Sequence, residues 1–120
     1  MIRVSEQSAG NVVILEAEGK LTHQDYKDVL IPRIEAVIRE RGKARVLFEL
    51  GENFRGWDWD ALWDDARFGL KHRKDFEKMA VVSNRRWINW ATKISAKFVR
   101  GDIRTFPMSL RADARTWIKT

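Results

Sequence analysis

Four aspartates crowd one short stretch of the chain: Asp58, Asp60, Asp64 and Asp65. Asp60 and Asp64 are one helical turn apart, a spacing at which two carboxylates can share a cation or raise one another's pKa. A magnesium site normally adds a phosphate substrate or further carboxylates, and the chain contains no glycine-rich phosphate loop or Walker-type string. The cluster therefore reads as helix capping and a solvated helix face, with Asp58 and Asp60 suited to a helix N-terminus. His23 and His72 lack the i, i+4 spacing of a helical metal pair, and the absence of cysteine removes thiolate ligands and thiol nucleophiles. No serine occupies a Gly-x-Ser-x-Gly elbow, and no histidine follows Ser83 to complete a triad in hydrolase order. The residues predict no catalytic group, metal or cofactor; an enzyme built on Asp58–Asp65 is the weaker alternative.

A binding site is the better expectation. Ser83-Asn84-Arg85-Arg86 leaves the C-terminal end of an expected strand, where open α/β sheets place ligand crevices, and it can meet Asn53-Phe54-Arg55 in space. Backbone N–H groups there, with Arg85 and Arg86, suit an anion or carboxylate headgroup, while Phe54, Trp57 or Trp87 supplies an apolar wall. The expected ligand-binding set is Asn53, Phe54, Arg55, Trp57, Ser83, Arg85 and Trp87. Ordinary strand-to-helix punctuation is the competing account of the same residues.

The elements that must position these groups follow from pattern. Arg3–Ser5 and Val12–Glu18, separated by the turn residues Ser8-Ala9-Gly10-Asn11, read as a hairpin ended by Gly19. Thr22 and Asp25 form a capping-box pair before Tyr26, Val29, Leu30, Ile34, Val37 and Ile38, which recur at helical spacing, with a kink or restart expected at Pro32. Ala44–Leu50 reads as a buried strand, 51–56 as a loop, and 58–70 as a helix whose Trp59, Trp63, Ala66 and Leu70 share an inward stripe. Met79–Ser83 is a further strand, and Arg85–Arg100 a helix with Trp87, Trp90, Ala91, Ile94 and Phe98 inward. Ile103–Phe106 is a last strand before a helix capped by Ser109, with Leu110, Ala114, Trp117 and Ile118 on one face. Strands alternating with helices predict an α/β domain with a mostly parallel sheet of four to five strands, an antiparallel edge strand and about four flanking helices.

With 120 residues, 44% hydrophobic and 33% charged, the chain suits a single domain spanning 1–120. Neither a signal-peptide pattern nor an apolar run long enough to span a bilayer occurs, and the expected location is the cytoplasm. The net charge of +6 belongs to the second half: residues 1–60 carry 9 Lys/Arg against 11 Asp/Glu, and residues 61–120 carry 14 against 6. A basic half attracts phosphates or acidic lipid, yet the aromatics and lysines of 85–100 fall on opposing faces, which ranks nucleic acid low and membrane contact as at most peripheral.

Several strings, taken in order, resemble the SpoIIAA-like family, a branch of the STAS-related fold: Gly19-Lys20-Leu21-Thr22-His23-Gln24-Asp25-Tyr26, Ala61-Leu62-Trp63-Asp64-Asp65 running to Gly69-Leu70-Lys71-His72, Phe76 to Ser83, and Ala112 to Ile118. The resemblance implies a four- or five-stranded sheet flanked by helices, partner-protein regulation and, in wider kin, lipid-like or small-ligand binding. Anti-sigma-factor antagonists of the wider group carry a phosphorylatable serine after the third strand; the matching segment here, 52–58, has no Ser or Thr, so that phosphoswitch does not carry over. The expected function is a noncatalytic regulatory or protein-interaction module, gated by a small anionic or lipid-like ligand and recognising a protein partner or a second copy of itself as a homodimer. The alternative is a small-molecule or lipid carrier.

Overall fold

β1 (Ile2–Val4) and β2 (Val12–Leu21) run antiparallel, with Ile2 opposite Ala17 and Val4 opposite Leu15. Gly10, at φ 60°, bends the connection between them, a conformation that glycine adopts without a Cβ clash. The structure, a computed structural model, describes residues 1–86, 88, 92–93 and 101–120. β3 (Ala44–Trp57), β4 (Phe76–Val82) and β5 (Asp102–Phe106) join β2 in parallel, giving one five-stranded sheet in the order β1-β2-β3-β4-β5. This is the mixed α/β architecture, with one antiparallel edge, that the alternating pattern predicts.

Both sheet faces are covered, which is why β2 is apolar without alternation. Val13, Leu15 and Ala17 point into the larger core with Val46, Leu50 and Val81; Val12 and Ile14 point the other way with Leu47, Ala80 and Val82. On the first side lie three contiguous helical pieces, α1 (His23–Asp25), a π turn (Tyr26–Leu30) and α2 (Ile31–Arg41), and then α3 (Trp59–Lys71). α4 (Arg111–Lys119) covers the second side through Ala114 and Ile118. The Thr22–Asp25 capping box forms as expected, and Pro32 stands in the first turn of α2, just past the π turn, which is the restart its missing N–H requires.

Three expectations need correction. Residues 51–56 are not a loop: β3 continues through them to Trp57, pairing Gly19 with Phe54 and Leu21 with Trp57 after register shifts beside Gly19. The bulge absorbs the extra residues of β3, so glycines that read as strand ends are instead where the strands bend. Second, α3 is rotated from the expected phase. Trp59 (79% exposed), Trp63 (61%), Leu70 (58%) and Ala66 are exposed, while Ala61 and Phe68 are buried. Third, Ser109 lies inside a 3₁₀ turn, Met108–Leu110, and does not cap α4, and Leu110 is exposed. Of the expected helix at 85–100, Trp87, Trp90, Ala91, Ile94 and Phe98 lie outside the described residues; Ile88 is buried in the larger core.

Candidate functional site

The capping box fixes where Tyr26 goes. The Asp25 backbone N–H donates to Thr22 Oγ1 (3.2 Å), and the Thr22 N–H to Asp25 Oδ2 (3.0 Å), so the helix starts with the next side chain, Tyr26, turned fully into the core. The bulged end of β3 delivers Trp57 to the same place, with Phe54 packed edge-on against it at 5.0 Å between ring centres. The Asp58 carboxylate caps α3 by accepting from the Ala61 N–H at 2.8 Å, which sets the helix phase. Positions 61, 65 and 68, at i, i+4 and i+7, then share one face, on which Ala61 and Phe68 are buried and Asp65 is exposed.

Trp57 Nε1–H donates to Tyr26 Oη at 2.9 Å, and Tyr26 O–H donates to Asp65 Oδ1 at 2.8 Å. The direction of this chain is fixed: an indole N–H only donates, so the tyrosine oxygen must accept it and spend its own proton on the carboxylate. Loss of hydration raises the Asp65 pKa, opposed by the Tyr26 hydrogen bond. Burial, and then the neighbouring Asp65 charge, push Tyr26 well above the ordinary phenol value. Asp65 is exposed as a residue, and the protein around its carboxyl removes part of its hydration; both hold because the group borders an open cavity.

That cavity lies between α3 and the sheet. One lobe, of about 230 Å³, is lined by Leu50, Trp57, Val81, Ile88 and Thr92; a second, of about 460 Å³, reaches Leu30, Ile34, Phe68 and Gly69. Phe48, Leu62, Asp65, Met79 and Ile103 belong to both. The walls are apolar apart from Asp65 and Thr92, and no described lining residue is a Lys, Arg or His. An apolar enclosure with a very small number of fixed polar groups is the usual construction of a small-molecule site.

The expected binding set is divided. Phe54 and Trp57 belong to the α3 side, Phe54 inside the core and Trp57 in the cavity wall. Ser83 and Arg85 line a separate cleft of about 210 Å³ with Asn84, Met108 and residues 50–52 of β3, not 53–55. There Ser83 Oγ accepts the Arg85 N–H (3.1 Å) and Asn84 Oδ1 the Met108 N–H (2.9 Å), so both side chains are engaged in local structure. Asn53 and Arg55 are exposed on β3 and line neither space; Trp87 lies outside the described residues. The aspartate cluster disperses as well. Asp58 caps, Asp64 meets His23 Nδ1 at 2.5 Å, and Asp65 accepts from Tyr26. His72, nearly buried, is held between Asp75 (Nδ1, 2.8 Å) and Glu35 (Nε2, 3.3 Å). Among the described residues no group of three potential metal ligands converges, and no described helix is long and apolar enough to cross a membrane.

Tyr26 and Asp65 are the residues that sequence reasoning missed. Tyr26 reads as one more core position, and Asp65 as one more solvated carboxylate, until the phase of α3 is known. The only local hint is the stripe Ala61, Asp65, Phe68, His72, which has fewer apolar members than the competing stripe of tryptophans.

Comparison with known proteins agrees with the fold. The SpoIIAA-like family model matches residues 12–119. The chain is similar to an uncharacterised protein of the DUF3478 family with a SpoIIAA-like fold from Shewanella loihica PV-4, with a TM-score of 0.80 and 28% identity over 98% of this chain and 93% of that one. No curated protein matches the chain. With residues 12–119 covered by the family model and a TM-score of 0.80 to a solved protein of SpoIIAA-like fold, the chain belongs to the SpoIIAA-like family.

Proposed function

We propose that this protein is a noncatalytic binding module that takes a small, mostly apolar ligand beneath α3 and presents its occupancy to a protein partner through the same helix. The supporting observation is the double role of α3. Phe68, Gly69 and Asp65 wall the cavity, while Trp59 and Trp63 stand outside it. A ligand that shifts the helix therefore shifts the exposed aromatic surface with it, and exposed apolar patches of this kind commonly serve recognition. A lipid-like ligand fits these walls. An anion at Ser83–Arg85 has less support, because Glu52 shares that cleft and the Ser83 and Asn84 side chains are already engaged.

Native mass spectrometry of gently purified full-length protein, compared with its denatured mass, tests the reading, together with uptake of the neutral apolar dye Nile red. The expected result is an adduct released on denaturation, or, for an empty protein, dye uptake that the extracted ligand suppresses. A ligand-free protein that takes up no dye overturns it. A carrier, whose cargo is the functional object, would use the same cavity; it is favoured if substituting Trp59 and Trp63 leaves every activity of the loaded protein unchanged.

A further inference from the structure

We propose that the cavity beneath α3 selects apolar molecules bearing a protonated amine, with the Asp65 carboxylate as the counter-ion. This deepens the reading of the cavity as a ligand site and rests on it. The hydrogen-bond chain Trp57 to Tyr26 to Asp65 ends on Oδ1, and because each donor in it has a fixed direction, it delivers one proton to the carboxylate and no positive charge. Among the described residues Oδ2 has no donor, and the lining supplies no cation. The basic groups of α3 are occupied elsewhere. Arg67 lies 6.0 Å from the centre of the Trp63 ring on the outer face, and Lys71 reaches Glu35 at 3.4 Å.

A carboxylate bordering an open apolar cavity, held by one neutral donor and without a counter-charge, is an incomplete pair on the side that faces the apolar walls. An ammonium completes it with both charge and N–H donors. A neutral hydroxyl completes only the hydrogen bond, and a carboxylate ligand such as a fatty acid meets like charge in a low-dielectric space. The apolar walls then take the hydrocarbon part, with Met79 among them as an adaptable contact.

Titration calorimetry of the full chain with octylamine, octanol and octanoate near neutral pH, repeated on Asp65→Asn, decides the matter. The expected order is octylamine first, at least about tenfold tighter than octanoate, with the difference abolished in D65N while octanol binding persists. Equal affinity for octylamine and octanoate, or an amine preference that survives in D65N, overturns amine selection and leaves the apolar cavity standing. Failure of all three to bind overturns both readings. If D65N does not fold, the order measured on the wild type alone decides: octanoate as tight as octylamine sinks the proposal.

Discussion

Tyr26 donates its hydroxyl proton to Asp65 across 2.8 Å, and this bond ties the π turn to the inner face of α3. It holds a carboxylate in a place where the helix otherwise presents apolar groups to the sheet. The arrangement costs stability locally, since a raised carboxyl pKa means that the folded environment disfavours the ion. A fold that tolerates such a group beside an apolar cavity has the makings of a selective pocket.

Removing the tyrosine hydroxyl separates the two halves of this chain. Tyr26→Phe removes the oxygen that accepts from Trp57 Nε1 and the donor that reaches Asp65, so we expect a loss of about 1–3 kcal/mol in urea unfolding. It also raises the Asp65 pKa further, because the lost hydrogen bond is the one that favours the ion. A ¹³C-detected titration of the carboxyl reads that shift; an unchanged or lowered value refutes the role given to Tyr26.

Asp65→Asn should stabilise the protein near neutral pH. The folded-state pKa lies above the unfolded one, so between those two values the folded form binds more protons, and stability falls as pH rises through that window. Above the folded pKa the penalty is fully present. Asparagine keeps an acceptor for Tyr26 and carries no charge, so its advantage is largest near neutrality and closes as pH drops below about 4, the ordinary carboxylate range. Thermal melts of both proteins across pH check it, and an advantage that grows on acidification contradicts the sign.

The phase of α3 is testable by contrast. Trp63 is on the outer face and Phe68 is buried against Phe76, with ring centres 6.1 Å apart, and against His72 at 4.8 Å. Trp63→Gln should change unfolding stability by no more than about 0.5 kcal/mol, and Phe68→Ala should cost about 3 kcal/mol or more. The reverse order would restore the stripe that hydrophobic periodicity alone suggests.

That contrast also marks where sequence reasoning stops. The sheet was readable because β2 and β4 are short apolar runs bounded by turn residues, and Thr22 with Asp25 announces the first helix through side chain–backbone geometry that is purely local. α3 was not, because it is apolar on two sides. Positions 59, 63, 66 and 70 make a more apolar stripe than 61, 65, 68 and 72, and the choice depends on what the sheet and Tyr26 offer to the helix, which is tertiary information. The site was hidden for the same reason. Trp57 was identifiable as a wall residue, but its partner Tyr26 lies 31 positions before it and 39 before Asp65, and no spacing rule joins the three.

Two glycines separate conformational from steric need. A Cβ on Gly69, inside α3, meets nothing within 4 Å, so Gly69→Ala gains helix propensity and should stabilise by about 0.5–1 kcal/mol. Gly101, just before β5, is different. A Cβ there would stand 2.3 Å from the Phe76 carbonyl oxygen and 2.8 Å from that of Glu77, and both are backbone atoms at the start of β4. Gly101→Ala therefore has to push β5 away from β4, where Lys78 pairs with Asp102 and Met79 with Ile103. Because Met79 and Ile103 both line the cavity, the shift reaches the site as well as the sheet. Denaturant unfolding should show G101A destabilised and G69A stabilised, with amide hydrogen exchange in G101A accelerated along β5. Equal stabilities for the two variants would mean that β4 and β5 do not approach each other as closely at Gly101 as the backbone here requires.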